Sequence, residues 1–198
     1  MFAYTADGVL EAESYRRVLT DWLERAGYHD EQLAMMHVAL DDIGEVNVAF
    51  GAVIGESFAQ NLIALTRRFA SPHSIIGADG PSRLLVAVPA IDAAAARSAA
   101  ETIQEGLLET PSDRVIGLRP TVSIGIALSD YLGHGFDDLV VTARKVSATA
   151  AAAGGRVLVD VTVSESWAAA AAIRRLSFDG RQATIGEERR IATPCPES

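Results

Sequence analysis

The chain has 198 residues, a net charge of −9 and 49% hydrophobic residues, enough apolar material for one domain with a sizeable core. The acidic balance argues against broad binding to nucleic acid or a membrane surface, both of which need a positive field. The single cysteine, Cys195, excludes a disulfide framework or a cysteine-based zinc site within one chain, and no apolar run reaches the roughly 20 residues of a membrane helix.

In chain order, Leu10 to Ala26 has helical periodicity. Tyr15, Val18, Leu19, Trp22 and Leu23 form one apolar stripe, and Gly27 is a stop. Leu33 to Leu40 is short and almost wholly apolar, which predicts a buried central strand. Asp41-Asp42-Ile43-Gly44 breaks it. A helical region follows from about Glu45 to Phe69, and Gly51 and Gly55 inside it predict a break or a close backbone approach. Ser74–Ile76 and Leu84–Val88 are the arms of a hairpin whose tip reads Gly80-Pro81-Ser82-Arg83. Asp92 caps a helix to Leu108, and Pro120–Leu128 is a strand rich in β-branched residues. Phe136–Ala153 is a helix ended by Gly154-Gly155, Arg156–Val163 a strand, and Ser164 the cap of a last helix to Leu176. Pro194–Ser198 reads as a loose tail.

The core order is βαββαβ, the split βαβ or ferredoxin-like arrangement. It predicts an α/β (α+β sandwich) fold with a mixed or antiparallel sheet, flanked by helices placed largely on one face. The expected organisation is an N-terminal helix over residues 1–30, a core over 31–160, and a helix-and-strand extension with its tail over 161–198. The N-terminus lacks the basic and apolar regions of a signal peptide, so a soluble cytoplasmic protein is expected.

With this order, several segments together resemble a GGDEF domain, the family of diguanylate cyclases that make cyclic di-GMP from GTP. Thr121-Val122-Ser123-Ile124-Gly125-Ile126-Ala127 is close to a habitual strand of that family. Ile43–Glu56 is similar to its stretch "FK.IND..GH..GD": Asn47, Gly51 and Gly55 match, and Glu56 stands for the usual Asp. Gly80, Pro81, Ser82, Arg83 and Leu84 fall where the name motif belongs, and Gly155-Arg156 echoes the "GR" before the last core strand. The resemblance runs from about Asp7 to Asp160.

The departures fall on the chemistry. The resemblance implies metal-binding carboxylates at the end of the first strand and in the hairpin, but these places hold Ala39 and Ser82. The next hairpin position, Glu in the family, is Arg83. Magnesium needs hard oxygen ligands, usually one or two of them carboxylates. Alanine offers none, and a serine hydroxyl is a poor substitute. The phosphate-binding lysine of the family falls within Ala151–Ala152, and the Arg and Asp of its product site at Ser71 and Ser74. The expectation is a degenerate GGDEF domain with no catalytic residues, no metal and no cofactor. It would serve as a regulatory or protein-interaction module in cyclic di-GMP signalling, with a protein partner or a homodimer and with neither nucleic acid nor membrane.

Two other readings stay open. Asn47 and Glu56, where the family contacts guanine, could bind GTP weakly without turnover, since an amide and a carboxylate match the guanine edge. Against this, Asn47 reads as a helix-start residue and Glu56 as a surface acid. Asp41 and Asp42 could rebuild a magnesium site and restore cyclase activity, or form a solvated turn or helix cap. Arg83 is either a solvated turn residue or a fixed positive charge standing in for the metal. The remaining candidates carry less. His29, His37, His73 and His134 form no metal-binding pair, and His37 reads as a satisfied core histidine. Ser82 and Ser123 lack a nucleophile-elbow context. Gly51-x-x-x-Gly55 is no phosphate loop, and Trp167 and the alanine-rich helices are packing elements or an interface.

Overall fold

The computed structural model describes residues 3–160 apart from 7, 27–32, 90, 110–120, 130–134 and 156. The expected last helix from Ser164, Trp167, His29, His134, Cys195 and the 161–198 extension lie outside the described residues. The elements are α1 (Ala12–Ala26), β1 (Leu33–Leu40), α2 (Ile43–Phe50), α3 (Ala52–Phe69), β2 (Ile75–Ala78), β3 (Arg83–Pro89), α4 (Ala93–Glu109), β4 (Val122–Ser129), α5 (Phe136–Ala152) and β5 (Val157–Asp160).

The sheet order is β2-β3-β1-β4-β5. β1 is central and antiparallel to both β3 and β4, while β5 joins the edge parallel to β4. The first four strands have the ferredoxin-like order, and α5 is the crossover that adds the parallel fifth. The sheet is therefore mixed.

The helices cover both faces, where one had been expected. Ala34, Met36, Val38 and Leu40 of β1 pack with Phe58 and Leu62 of α3 and Ala96, Ala100, Ile103 and Leu107 of α4. Leu33 and Met35, on the opposite face, pack with Tyr15 and Leu19 of α1 and Leu139, Val140 and Ala143 of α5. The reason lies in LAMMHVAL itself. A strand without polar alternation must bury both faces, so helices are needed on each.

α1 starts at Ala12, because Leu10 is used otherwise. Its N–H donates to the Ile76 carbonyl (3.1 Å) and its carbonyl accepts from the Ala78 N–H (2.8 Å), which covers the outer edge of β2. The long helical region is two helices joined at Gly51, whose φ of 91° suits glycine. The second glycine there meets the other expectation: a Cβ at Gly55 would fall 2.0 Å from Asn47 Oδ1. Asp92 caps α4 through Oδ1, which accepts the Ala95 N–H (2.8 Å). α5 ends through Gly154 and Gly155, with the Gly155 N–H donating to the Ala150 carbonyl (3.1 Å). No described helix is long and apolar enough to cross a membrane.

Candidate functional site

At the C-terminal end of β1 a groove of ≈ 570 Å³ opens between the sheet and α5. His37, Ala39 and Asp41 share the α5 side of β1 by the alternation of the strand. Arg144, Ser147, Ala148 and Ala151 line the other wall. Their spacing of three, four and seven residues puts them on one face of α5. That wall lies tight on the sheet because of Gly125, where a Cβ would come 2.2 Å from both the Ala143 carbonyl oxygen and the Ser147 nitrogen.

Ala39 pairs with Arg83 on β3 and with Ser123 on β4, so the strand end and the hairpin tip do meet here. Ser82 is buried, and its carbonyl accepts the Leu40 N–H at 3.1 Å. Arg83 is exposed and lines the groove, and its carbonyl accepts the Asp79 N–H at 3.0 Å. Gly80 takes a φ of 106° with open space around it, and Pro81 is exposed beside it.

Asp41 is anchored on β4. Its N–H donates to the Thr121 carbonyl (3.0 Å), and its carboxylate accepts from the Thr121 hydroxyl (2.8 Å) and the Ser123 hydroxyl (2.7 Å). Asp42 is exposed in the left-handed region (φ 51°) and begins α2 without a side-chain cap. Beside the groove lie Asp79, Arg144 and His37, of which His37 and Arg144 line it. Arg144 Nε donates to Asp79 Oδ2 (2.9 Å), and Nη2 completes a bidentate pair with Oδ1. His37 Nε2 lies 3.2 Å from Asp79 Oδ2. At that distance the pair is an ion pair once the ring is protonated, but neither ring nitrogen meets hydrogen-bond geometry although the residue is 6% exposed. Burial pushes the His37 pKa below its ordinary value. Asp79 opposes that shift, and Arg144 and Arg83 add to it. His37 is thus buried as expected for a core residue, with Asp79 as its close polar neighbour.

The donors at hand do not fit a magnesium ion. Ala39 has no side-chain oxygen, Ser82 is buried and does not line the groove, and Arg83 brings positive charge. Of the two lining carboxylates, Asp41 is already held by two hydroxyls, which leaves exposed Asp42. Among the described residues no three His, Cys, Asp or Glu side chains come together as a metal set. Asn47 and Glu56 lie elsewhere, at the α2–α3 corner. Both are exposed, and Asn47 Oδ1 reaches over Gly55, the neighbour of Glu56. Neither lines the groove. Ser71 is exposed, and Ser74 Oγ is buried without a partner.

Sequence reasoning missed the Asp79–Arg144 pair and its neighbour His37. One signal was available: Asp79 is an acid at the end of an apolar hairpin arm, a place where a half-buried carboxylate needs a cation.

Solved structures similar to this chain include GGDEF domains and a diguanylate cyclase. That of DgcB from Caulobacter crescentus, in complex with c-di-GMP, has a TM-score of 0.72 at 15% identity and covers 79% of this chain and 94% of its own. The GGDEF domain of YfiN (TpbB) from Pseudomonas aeruginosa reaches 0.73 at 19%, over 79% and 99%. The diguanylate cyclase SiaD from Pseudomonas aeruginosa, in complex with its activator SiaC, reaches 0.67 at 16%, over 79% and 61%. No curated protein sequence matches. The family model described as "Diguanylate cyclase, GGDEF domain" matches residues 13–156, so with its sheet order and hairpin placement the chain belongs to the GGDEF family.

Proposed function

We propose that this GGDEF domain has lost cyclase activity and works in the cytoplasm as a regulatory, protein-interacting module of cyclic di-GMP signalling. Its working core is residues 31–160. The observation that carries the reading is the pairing of Ala39 with Arg83, beside buried Ser82. The strand end and hairpin that would hold a metal are brought together, and they present a methyl group and a guanidinium to the groove, while Ser82 is buried and does not line it. A metal ion neutralises the triphosphate and stabilises phosphoryl transfer. Arginine supplies charge but cannot bridge two phosphate oxygens and a nucleophile. SiaD, solved with its activator, supports a protein partner as one mode of control for such domains.

Incubation with GTP and Mg²⁺ or Mn²⁺ tests the proposal. No cyclic di-GMP is expected. Robust production, abolished by Asp41→Ala, would overturn it in favour of a rearranged metal site.

A second reading, weak GTP binding without turnover, draws on the placement of Asn47 and Glu56 at one exposed corner. Calorimetry decides it: absence of heat at about millimolar nucleotide, the weak end of the affinity scale, removes it.

A further inference from the structure

The α2–α3 corner carries an unusual surface. Val48, Ala49, Phe50, Gly51, Ala52 and Val53 are consecutive, apolar and all exposed. Val48 is 90% exposed, Val53 78% and Phe50 41%. α2 buries no residue at all, while Ile43, Val46 and Ile54 turn inward to pack on the core. The two helices join at Gly51, whose φ of 91° suits glycine and around which a Cβ would meet open space. A contiguous exposed apolar patch with a polar rim marks an interaction site more often than a solvated surface.

Along the chain, the flanks of the patch carry one sign of charge, and a cation, Arg83, lines the same groove as Asp42. From position 41 to 66 the chain carries Asp41, Asp42, Glu45 and Glu56 and no Lys, Arg or His. Asp41 is turned toward β4, whereas Asp42, Glu45 and Glu56 are exposed beside the patch. We propose that this corner docks a protein segment whose apolar side chains are flanked by lysine or arginine, such as a basic amphipathic helix. Apolar side chains would cover Val48, Phe50 and Val53, and the flanking cations would face the acidic rim. A second copy fits less well, because it brings the same acidic rim to a chain of net charge −9. An anionic bilayer meets the same repulsion. The inference rests on the reading of this domain as a protein-interaction module, and it names the class of partner.

Two synthetic helical peptides serve as probes. One carries Leu and Trp on one face with Lys on the flanks, and the other replaces each Lys by Glu. Fluorescence anisotropy on the full chain should show the basic peptide binding roughly tenfold or more tighter than the acidic one, and weakening in about 0.5 M salt. Val48→Glu with Val53→Glu should lose about tenfold or more of that binding. Both side chains are exposed, so an unchanged thermal midpoint verifies that the variant folds. Equal affinity for the two peptides, no binding, or unchanged binding by the double variant overturns the proposal. So does a wild-type dimer, or binding to phosphatidylserine vesicles, that the double variant abolishes. The cyclase assay is independent. An inactive chain that ignores the basic peptide loses this surface and keeps the inactive reading, and an active chain that binds it does the reverse.

Discussion

The groove at the end of β1 and the α2–α3 corner are neighbours along the chain and opposites in chemistry. In the groove the half-buried carboxylates are answered from within. Asp79 is held by Arg144, and Asp41 by the Thr121 and Ser123 hydroxyls. At the corner, six successive apolar residues face solvent with nothing of the chain described over them. A charge removed from water must be paired where it sits, whereas an apolar side chain can wait for a partner at modest cost. The carboxylates of the groove are thus tied into the structure, while the corner leaves apolar surface uncovered among the described residues. If so, substitutions in the groove should act on stability, and those at the corner should leave the fold alone.

Gly125→Ala should have the largest effect. The added Cβ would strike backbone atoms of α5 at 2.2 Å, and backbone cannot rotate away as a side chain can. The wall of the groove would lift from β4, at about 3 kcal/mol or more. Denaturant unfolding measures this. Val48→Glu, by contrast, should stay within about 0.5 kcal/mol of wild type. A mild Gly125→Ala and a costly Val48→Glu would reverse the assignment of the two regions.

Asp79→Ala comes next. It removes a bidentate, charge-assisted pair linking the hairpin to α5 and leaves Arg144 without its carboxylate. Because the Arg144 side chain is 48% exposed, water recovers part of the loss, and about 1–2 kcal/mol is expected. Asp79→Asn, which keeps shape and loses charge, should fall between the two. If Asp79→Ala leaves the unfolding midpoint unchanged, the groove is not held by its charges.

The same contrast explains what could be read from the sequence. The strands and their order were legible because LAMMHVAL, RLLVAVP and VSIGIALS are apolar runs between strong breaks. The expectation of one covered face failed because it took the helices as a layer and ignored that β1 has two apolar sides. Gly51 and Gly55 were both legible as events, since a glycine inside a helical pattern asks for one, and each gave a different answer. That Ala39 meets the hairpin was legible only through the family resemblance, which set it beside Ser82; the register pairs it with Arg83. The Asp79–Arg144 pair was not, because 65 residues separate its members and no local period links a hairpin arm to α5. The exposure of Val48 and Val53 was equally hidden, since an apolar helix residue reads as core until the fold says which side it faces.

The smallest effect concerns pH. Burial holds the His37 pKa below the ordinary 6.5, so the folded state binds a proton less readily than the unfolded chain. Asp79 favours the proton, while Arg144 and Arg83 oppose it. Above about 6.5 both states are neutral and His37 contributes nothing to the slope. As pH falls below that value the unfolded chain takes up protons first, and stability declines until the folded imidazole also charges. Asp137, whose pKa the Arg16 hydrogen bond holds below 3.8, loses its contribution only at much lower pH, so the windows separate. His37→Leu should therefore unfold at nearly the same temperature at pH 7.5 and 5.5, where the wild type loses ground at the lower value. The corner has no histidine to titrate in this range, and Val48→Glu should keep the wild-type slope. Equal slopes in wild type and His37→Leu would mean that the buried imidazole finds its hydrogen-bond partner when charged, and that Asp79 serves two cations at once.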